Sequence, residues 1–454
     1  MKLSVAFLLL TTLCVTVQSV EPGGQTGLYD ANPDHLWNRL HRALFLREDK
    51  DGIEYGYDDT VPFNRRDSEA FLAGEPYRKA LALLDEFLST HGEKLVQDPI
   101  RRAVLQHDLW AVFDTVPTLW GVRGEVRSEI EHNQRALAIR LAQCIQRLAL
   151  TEEEIKALPD NFAQAIKSGA FAAKQDPEHP ETAFLPPDLF DPKGSWVEID
   201  TSRIVGEGEA VTAPVHVESA SGRSAFQVFI RLPGGREQTL AYLNKLNLFT
   251  TPWKFQPAPL TTYKLTEPHE TLAATPETNN KYFAPPERGD TLQLNPDTPQ
   301  FPTGTTVALV RRMILVSDKI EPVATPLIES VQMRVYRKVP ATYEDHDVDF
   351  YEIVLRRVNL FAGQAGGLHA LEKNEKEPNL LNMGVGRATT EQSCYICHSA
   401  SGIFSVNSYT RDLAPMLPDP QLPPETYPDA AQTAVVYWKK RQFDWGLLTG
   451  LLDH

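Results

Sequence analysis

The sequence predicts an α+β multidomain protein, with a helical N-terminal domain, an antiparallel β-rich middle and a C-terminal module of different character. Three observations carry that expectation. Apolar residues recur at helical spacing up to about residue 175, and alternation of period two replaces it after about residue 190. Beyond residue 361 glycine and then proline crowd the chain. The 454 residues allow about two to four domains at roughly 100–200 residues each. The expected bounds are 1–19 for a leader, then 30–175, 190–361 and 362–454.

The leader reads as a signal peptide. Lys2 is a minimal positive start, Leu3 to Val15 is a short apolar run, and Val17-Gln18-Ser19 puts small residues at the usual cleavage positions. The run is too short to span a bilayer as a helix of ~20 residues. Cys14 lacks the small residue that normally precedes a lipidated cysteine. The expectation is a bacterial protein, periplasmic or otherwise exported, with no transmembrane segment in its mature chain. Asn-x-Ser/Thr glycan acceptors are absent from the sequence, in keeping with a bacterial source.

In the helical stretch, Asn32-Pro33 reads as a cap and first helical position, followed by Leu36, Leu40 and Leu44. Leu81, Leu84 and Phe87 mark a second helix, and Ile100, Val104, Leu105 and Val112 a third. The longest runs from about Glu125 to Leu150, with Ile130, Leu137, Leu141, Ile145 and Leu148 on one face. Cys144 shares that face and reads as a buried thiol acting as a small hydrophobe. Thr151-Glu152-Glu153-Glu154 is a capping box, and Asp160 caps a further helix that Gly169 can end.

In the middle stretch, Ala210–Glu218 and Ser224–Leu232 read as a hairpin turning at Ser221-Gly222. A helix follows at Arg236–Asn247, and residues 252–304 read as irregular. Val307–Val316, the alternating Val331–Tyr336 and Tyr351–Val358 are the clearest strands. The last stretch ends in a helix from Asp429 that carries Trp438, Phe443 and Trp445.

Composition excludes several classes. Against 60 acidic residues stand 45 basic ones, a net charge of −15 without a basic block. Phosphate binding needs clustered Lys and Arg, so nucleic acid is not an expected partner. Four cysteines cannot staple a chain this long as a disulfide scaffold. Cleavage after Ser19 removes Cys14 and leaves Cys144, Cys394 and Cys397. That odd count in an oxidising compartment wants an explanation.

Cys394-Tyr395-Ile396-Cys397-His398 supplies one. CxxCH is the attachment signature of c-type haem. Two thiols at this spacing can bond to the two vinyl groups on one porphyrin edge, and the adjacent imidazole can then reach the iron. This composition gives roughly one chance occurrence per thousand chains. Zinc normally takes four ligands, and the chain has no second CxxC and no HxxxH. A thioredoxin-like redox site wants CxxC after a strand of a βαβ unit, and no such unit precedes it.

Through these five residues and the leader, the last 90 or so residues resemble the mono-haem c-type cytochromes. The resemblance implies a cytochrome c-like haem module with one covalently attached haem c, held by Cys394 and Cys397, with His398 as proximal iron ligand. It also implies one-electron transfer with a redox partner protein. Small cytochromes carry CxxCH near the start of their domain and four-helix cytochromes near the end of a bundle. This chain matches neither placement, so the resemblance extends to attachment and ligation alone.

The sixth iron position stays open among several candidates. Met416 lies in the rigid Pro415-Met416-Leu417-Pro418 loop, Met383 in a glycine-flanked turn, and His369 in Gly366-Gly367-Leu368-His369. Met416 leads, and an empty position is the remaining alternative. The other histidines show no ligand-like spacing. Arg387 and Arg411 flank the motif and suit haem propionates, or are solvated loop residues. Tyr395, Ile396, Ile403, Phe404 and Trp438 are candidates to wall the macrocycle or to form a small core. The leading expectation is an electron-transfer protein. The alternatives are a haem enzyme or sensor with an open distal site, and a haem-free exported binding protein whose CxxC is a disulfide.

Overall fold

The computed structural model describes residues 27–48, 52, 54–58, 74–116, 126–172, 184–199, 203–204, 210–249, 253–256, 291–295, 297–339, 347–378, 387–389, 391–392, 394, 398, 402–406 and 430–452. The expected leader lies outside these residues. No helix among them is long and apolar enough to cross a membrane. The fold is α+β, mixing helices with antiparallel sheet.

Among the described residues up to 168 the α-helices are α1 Leu36–Leu44, α2 Gly74–Ser89, α3 Pro99–Thr115, α4 Val126–Leu148, α5 Glu152–Lys156 and α6 Asn161–Ser168. The first starts three residues later than the Asn32-Pro33 reading. His35 is its cap, its Nδ1 accepting from the Trp37 N–H at 3.2 Å, while Asn32 accepts from the Asp34 N–H in a tight turn. Asp98 caps α3 with Pro99 at its first position. The Thr151–Glu154 capping box is formed, and Gly169 ends α6 at φ 72°. Cys144 on α4 is fully buried, and burial pushes its thiol up.

Helix α3 departs most from an amphipathic reading, because Ala103 to Thr115 are all buried. Its polar residues find partners inside the protein. Gln106 and His107 face carbonyls of distant segments, and Asp108 and Asp114 meet buried cations. A helix wrapped on every side has no solvent face to reveal in its sequence.

The middle of the chain builds one six-stranded antiparallel sheet: β1 Val197–Ile199, β2 Ser224–Arg231, β3 Thr306–Val316, β4 Pro322–Lys338, β5 Asp347–Leu355 and β6 Leu368–Ala370. Spatial order follows chain order from β1 to β6. Pairing is antiparallel throughout, with irregular register between Ala324 and Ser330 where β4 meets β3.

Three expectations are corrected here. The supposed first hairpin arm is instead a short strand, Ala210–Val211, followed by helix α7, Pro214–Ser219. Pro214 sits at the helix start, where its missing N–H costs nothing, and β2 pairs with β1 and β3. Strand β5 ends at Leu355, and residues Arg357–Phe361 turn into helix α9, after helix α8 at Gly235–Asn247. The C-terminal helix is two helices, α10 Ala430–Lys440 and α11 Phe443–Leu452, broken at Arg441 and Gln442. Within the stretch read as irregular, Trp253–Gln256 pairs with Thr291–Leu294, and residues 257–290 lie outside the described part.

The two sheet faces carry two apolar cores. One gathers residues of α1 to α4 with Phe226, Val307, Tyr336, Ile403, Phe404, Val435 and Trp445. The other packs Phe162, Leu189, Trp196, Val310, Met333, Tyr351 and Leu368. Residues from all three expected stretches meet in the first of these cores, and β6 of the middle sheet lies beyond residue 361. The stretches differ in sequence period because they supply different layers, and each layer buries its apolar face against the next.

Candidate functional site

The site forms where β4, α7 and the turn Gly402–Ser405 converge. Along β4, Gln332, Arg334 and Tyr336 share one face by the two-residue period of a strand. Tyr336 is fully buried, and its hydroxyl lies 2.5 Å from Ser405 Oγ. Ser405 in turn donates to the Gly402 carbonyl at 2.8 Å, which closes the turn. Arg334 reaches the Ser405 carbonyl and hydroxyl at 3.3 and 3.4 Å. Cys394 Sγ lies 3.9 Å from Gln332 Oε1 on the same strand face. The cysteine thus stands beside the middle sheet.

His398 Nδ1 lies 2.6 Å from the Ser405 carbonyl oxygen. A carbonyl can only accept, so Nδ1 carries the proton and Nε2 is the basic nitrogen. Burial lowers the His398 pKa well below the ordinary value. The Arg334 guanidinium and His216 act in the same direction, and the Ser405 carbonyl opposes them. The ring is therefore neutral, the form that binds metals.

Helix α7 brings a residue that spacing did not flag. Ala213 adopts a left-handed φ of 51° ahead of Pro214, and the helix that follows carries His216. The His216 ring is parallel to that of His398 within 8°, with 6.3 Å between centroids. Phe226 packs against it at 5.3 Å. His216 Nδ1 is buried with no hydrogen-bond partner. Burial, with Arg334 and Arg311 nearby, lowers this imidazole to about 4, so it too is neutral. A buried ring nitrogen without a partner is costly and calls for a physical reason.

Among the expected site residues, Cys394 and His398 stand together at this place. Cys397, Met416, Met383, Arg411, Tyr395 and Ile396 lie outside the described residues, as does the side chain of Arg387. His369 sits on β6, its Nε2 3.4 Å from Glu375 Oε2. Burial alone would raise Glu375; His369, the Glu372 N–H and Arg356 instead bring it down to about 2. Ile403, Phe404 and Trp438 are buried in the first core. The reading that no other histidine gathers near the motif is corrected by His216. The chain separates it from His398 by most of the sheet, and only strand pairing brings them together.

Among the described residues no group of three or more His, Cys, Asp or Glu side chains could hold a metal ion. A haem needs less from side chains, because the porphyrin supplies four nitrogens. A neutral His398 oriented by a carbonyl, a parallel His216 ring whose Nδ1 has no partner, and a cationic Arg334 nearby fit that group. No family model, curated protein or solved structure matches the chain.

Proposed function

We propose that the protein is an exported c-type haem protein that transfers single electrons, with haem bonded to Cys394 and Cys397 and its iron on His398. The observation that carries the reading is the hydrogen bond from His398 Nδ1 to the Ser405 carbonyl, 2.6 Å long, within a CxxCH sequence. Metal-ligating histidines typically donate their other ring N–H to such an acceptor, which fixes the tautomer and raises ligand basicity. A haem so bound would cycle between ferric and ferrous iron, exchanging one electron with a partner redox protein.

The chain's own residues do the positioning. Ser405 aims the imidazole, and Tyr336 and Gly402 hold Ser405. Arg334 supplies a positive charge suited to a propionate. A net charge of −15 would steer a basic partner surface, and salt would weaken that encounter.

The test is maturation in a host that attaches haem to CxxCH in its periplasm. The purified protein should be red and keep its haem on a denaturing gel. Cys394→Ser with Cys397→Ser should abolish the covalent colour. Colourless wild-type protein from that host would overturn the reading and leave the disulfide-bearing binding protein in its place.

A further inference from the structure

We infer that His216 is the second axial ligand of the haem iron, opposite His398. The inference rests on the haem reading above and goes further, by naming the distal ligand among this chain's own residues. It displaces Met416 and the open position alike.

The argument is geometric. Each imidazole nitrogen that ligates a metal lies about 2.0–2.1 Å from it. The nitrogen of an imidazole is roughly 1.1 Å from the ring centroid, so two imidazoles on opposite sides of one metal hold their centroids about 6.3 Å apart. The His216 and His398 centroids are 6.3 Å apart, with the rings parallel within 8°. A hydrogen bond between the two rings would need one nitrogen protonated toward the other. His398 Nδ1 is already committed to Ser405.

The environment of His216 agrees. Its Nδ1 is buried without a partner, a cost that ligand binding at this ring would offset. Phe226 at 5.3 Å restrains the ring on one side. Helix α7 is anchored at both ends, through Pro214 at its start and a Gly222 N–H to Val217 carbonyl bond at its exit. Gly222 itself has no room for a side chain: a Cβ there would meet the Trp438 ring at 2.8 Å. Helix α10, which carries Trp438, therefore fixes the turn behind the proposed ligand.

The experiment uses the full chain matured with haem. Wild-type ferric protein should give a purely low-spin spectrum without the long-wavelength absorption of a thioether ligand. Its electron paramagnetic resonance signal should be the rhombic low-spin type that parallel imidazoles produce. His216→Ala, with covalent haem retained by mass, should turn high-spin and gain carbon monoxide binding in the ferrous state. Added imidazole should restore the low-spin form, a rescue that a merely structural role would not give. Met416→Ala should leave every spectrum unchanged. A His216→Ala protein that stays low-spin would overturn the inference and leave the haem reading standing. A thioether or high-spin signature in wild type would overturn it as well, even if the variant failed to fold. Absence of covalent haem in wild type would instead remove the underlying reading.

Discussion

Lys439 on α10 places its ammonium 2.9 Å from the Asp114 carboxylate on α3, both side chains fully buried. Arg223 meets the same carboxylate oxygen at 2.7 Å, and Lys439 also donates to the Ser221 carbonyl at 2.8 Å. Asp444 opens α11 beside the same ammonium. This cluster ties the two C-terminal helices to the central helix and to the turn behind His216.

Removing one partner leaves the others charged in a dry interior, which is costlier than removing a surface pair. Lys439→Met should destabilise the protein by about 3–5 kcal/mol in urea unfolding. Pairing it with Asp114→Asn should recover part of that loss, because the stranded carboxylate is then gone. An additive double variant would show that the contact carries no coupling.

Gln106 makes a second cross-layer link. Its amide donates to the Val316 carbonyl at 2.8 Å and accepts from the Val316 N–H at 3.1 Å. Across the ladder Val316 faces Pro322, which has no N–H to offer. The glutamine thus pairs a strand end as a neighbouring backbone would. Gln106→Leu should cost about 3 kcal/mol by leaving two buried backbone groups unpaired. Amide exchange at Val316 should rise ahead of global unfolding, and unchanged exchange there would count against this role.

Much of the helical layer was legible from sequence, because caps such as Thr151 and Asp160 act within one turn of the chain. The strands β3 and β4 were legible from their apolar pattern. Helix α7 was not: its β-branched Val215 and Val217 mimic alternation, and only Ala213 in the left-handed region with Pro214 following sets a helix start. The buried α3 and the C-terminal break were also hidden, since tertiary contacts, not local propensity, decide them. For the site, the motif gave Cys394 and His398. Their partners Ser405, Arg334, Tyr336 and His216 come from separate elements, and no spacing rule links them.

The buried His107 sets an acid limit on stability. Its Nε2 lies 3.4 Å from the Arg223 carbonyl, and its Nδ1 has no partner. Glu329 stands 3.7 Å away, with Arg223 and Arg311 as the cations facing the ring. Burial outweighs Glu329 and lowers the imidazole to about 4. An unfolded histidine takes its proton near 6.5, so between about pH 6.5 and 4 the unfolded chain binds the extra proton. Acidification through that window should therefore remove up to about 3 kcal/mol of stability. His107→Gln should flatten that slope in urea titrations at pH 7 and 4.5, and an unchanged slope would assign the loss to other groups.

The turn that aims His398 offers the last separation. Gly402 has φ 55°, and a Cβ there would fall 2.2 Å from Gln300 Oε1 and 2.7 Å from Val339 Cγ1. Gln300 Oε1 is also the acceptor for the Ile403 N–H at 3.1 Å, so a side chain at 402 would dislodge the turn's own anchor. Gly402→Ala should cost about 1–3 kcal/mol through strain and this displacement. It should also move the Ser405 carbonyl away from His398. Ser405→Ala, by contrast, removes the hydroxyl bonds to Tyr336, Gly402 and Arg334 and keeps the carbonyl that His398 uses. In haem-matured protein the glycine variant should therefore shift the reduction potential and broaden the low-spin signal, whereas the serine variant should lower the melting temperature with the spectrum intact. Equal spectral effects from both would mean that the hydroxyl, not the carbonyl, orients the imidazole.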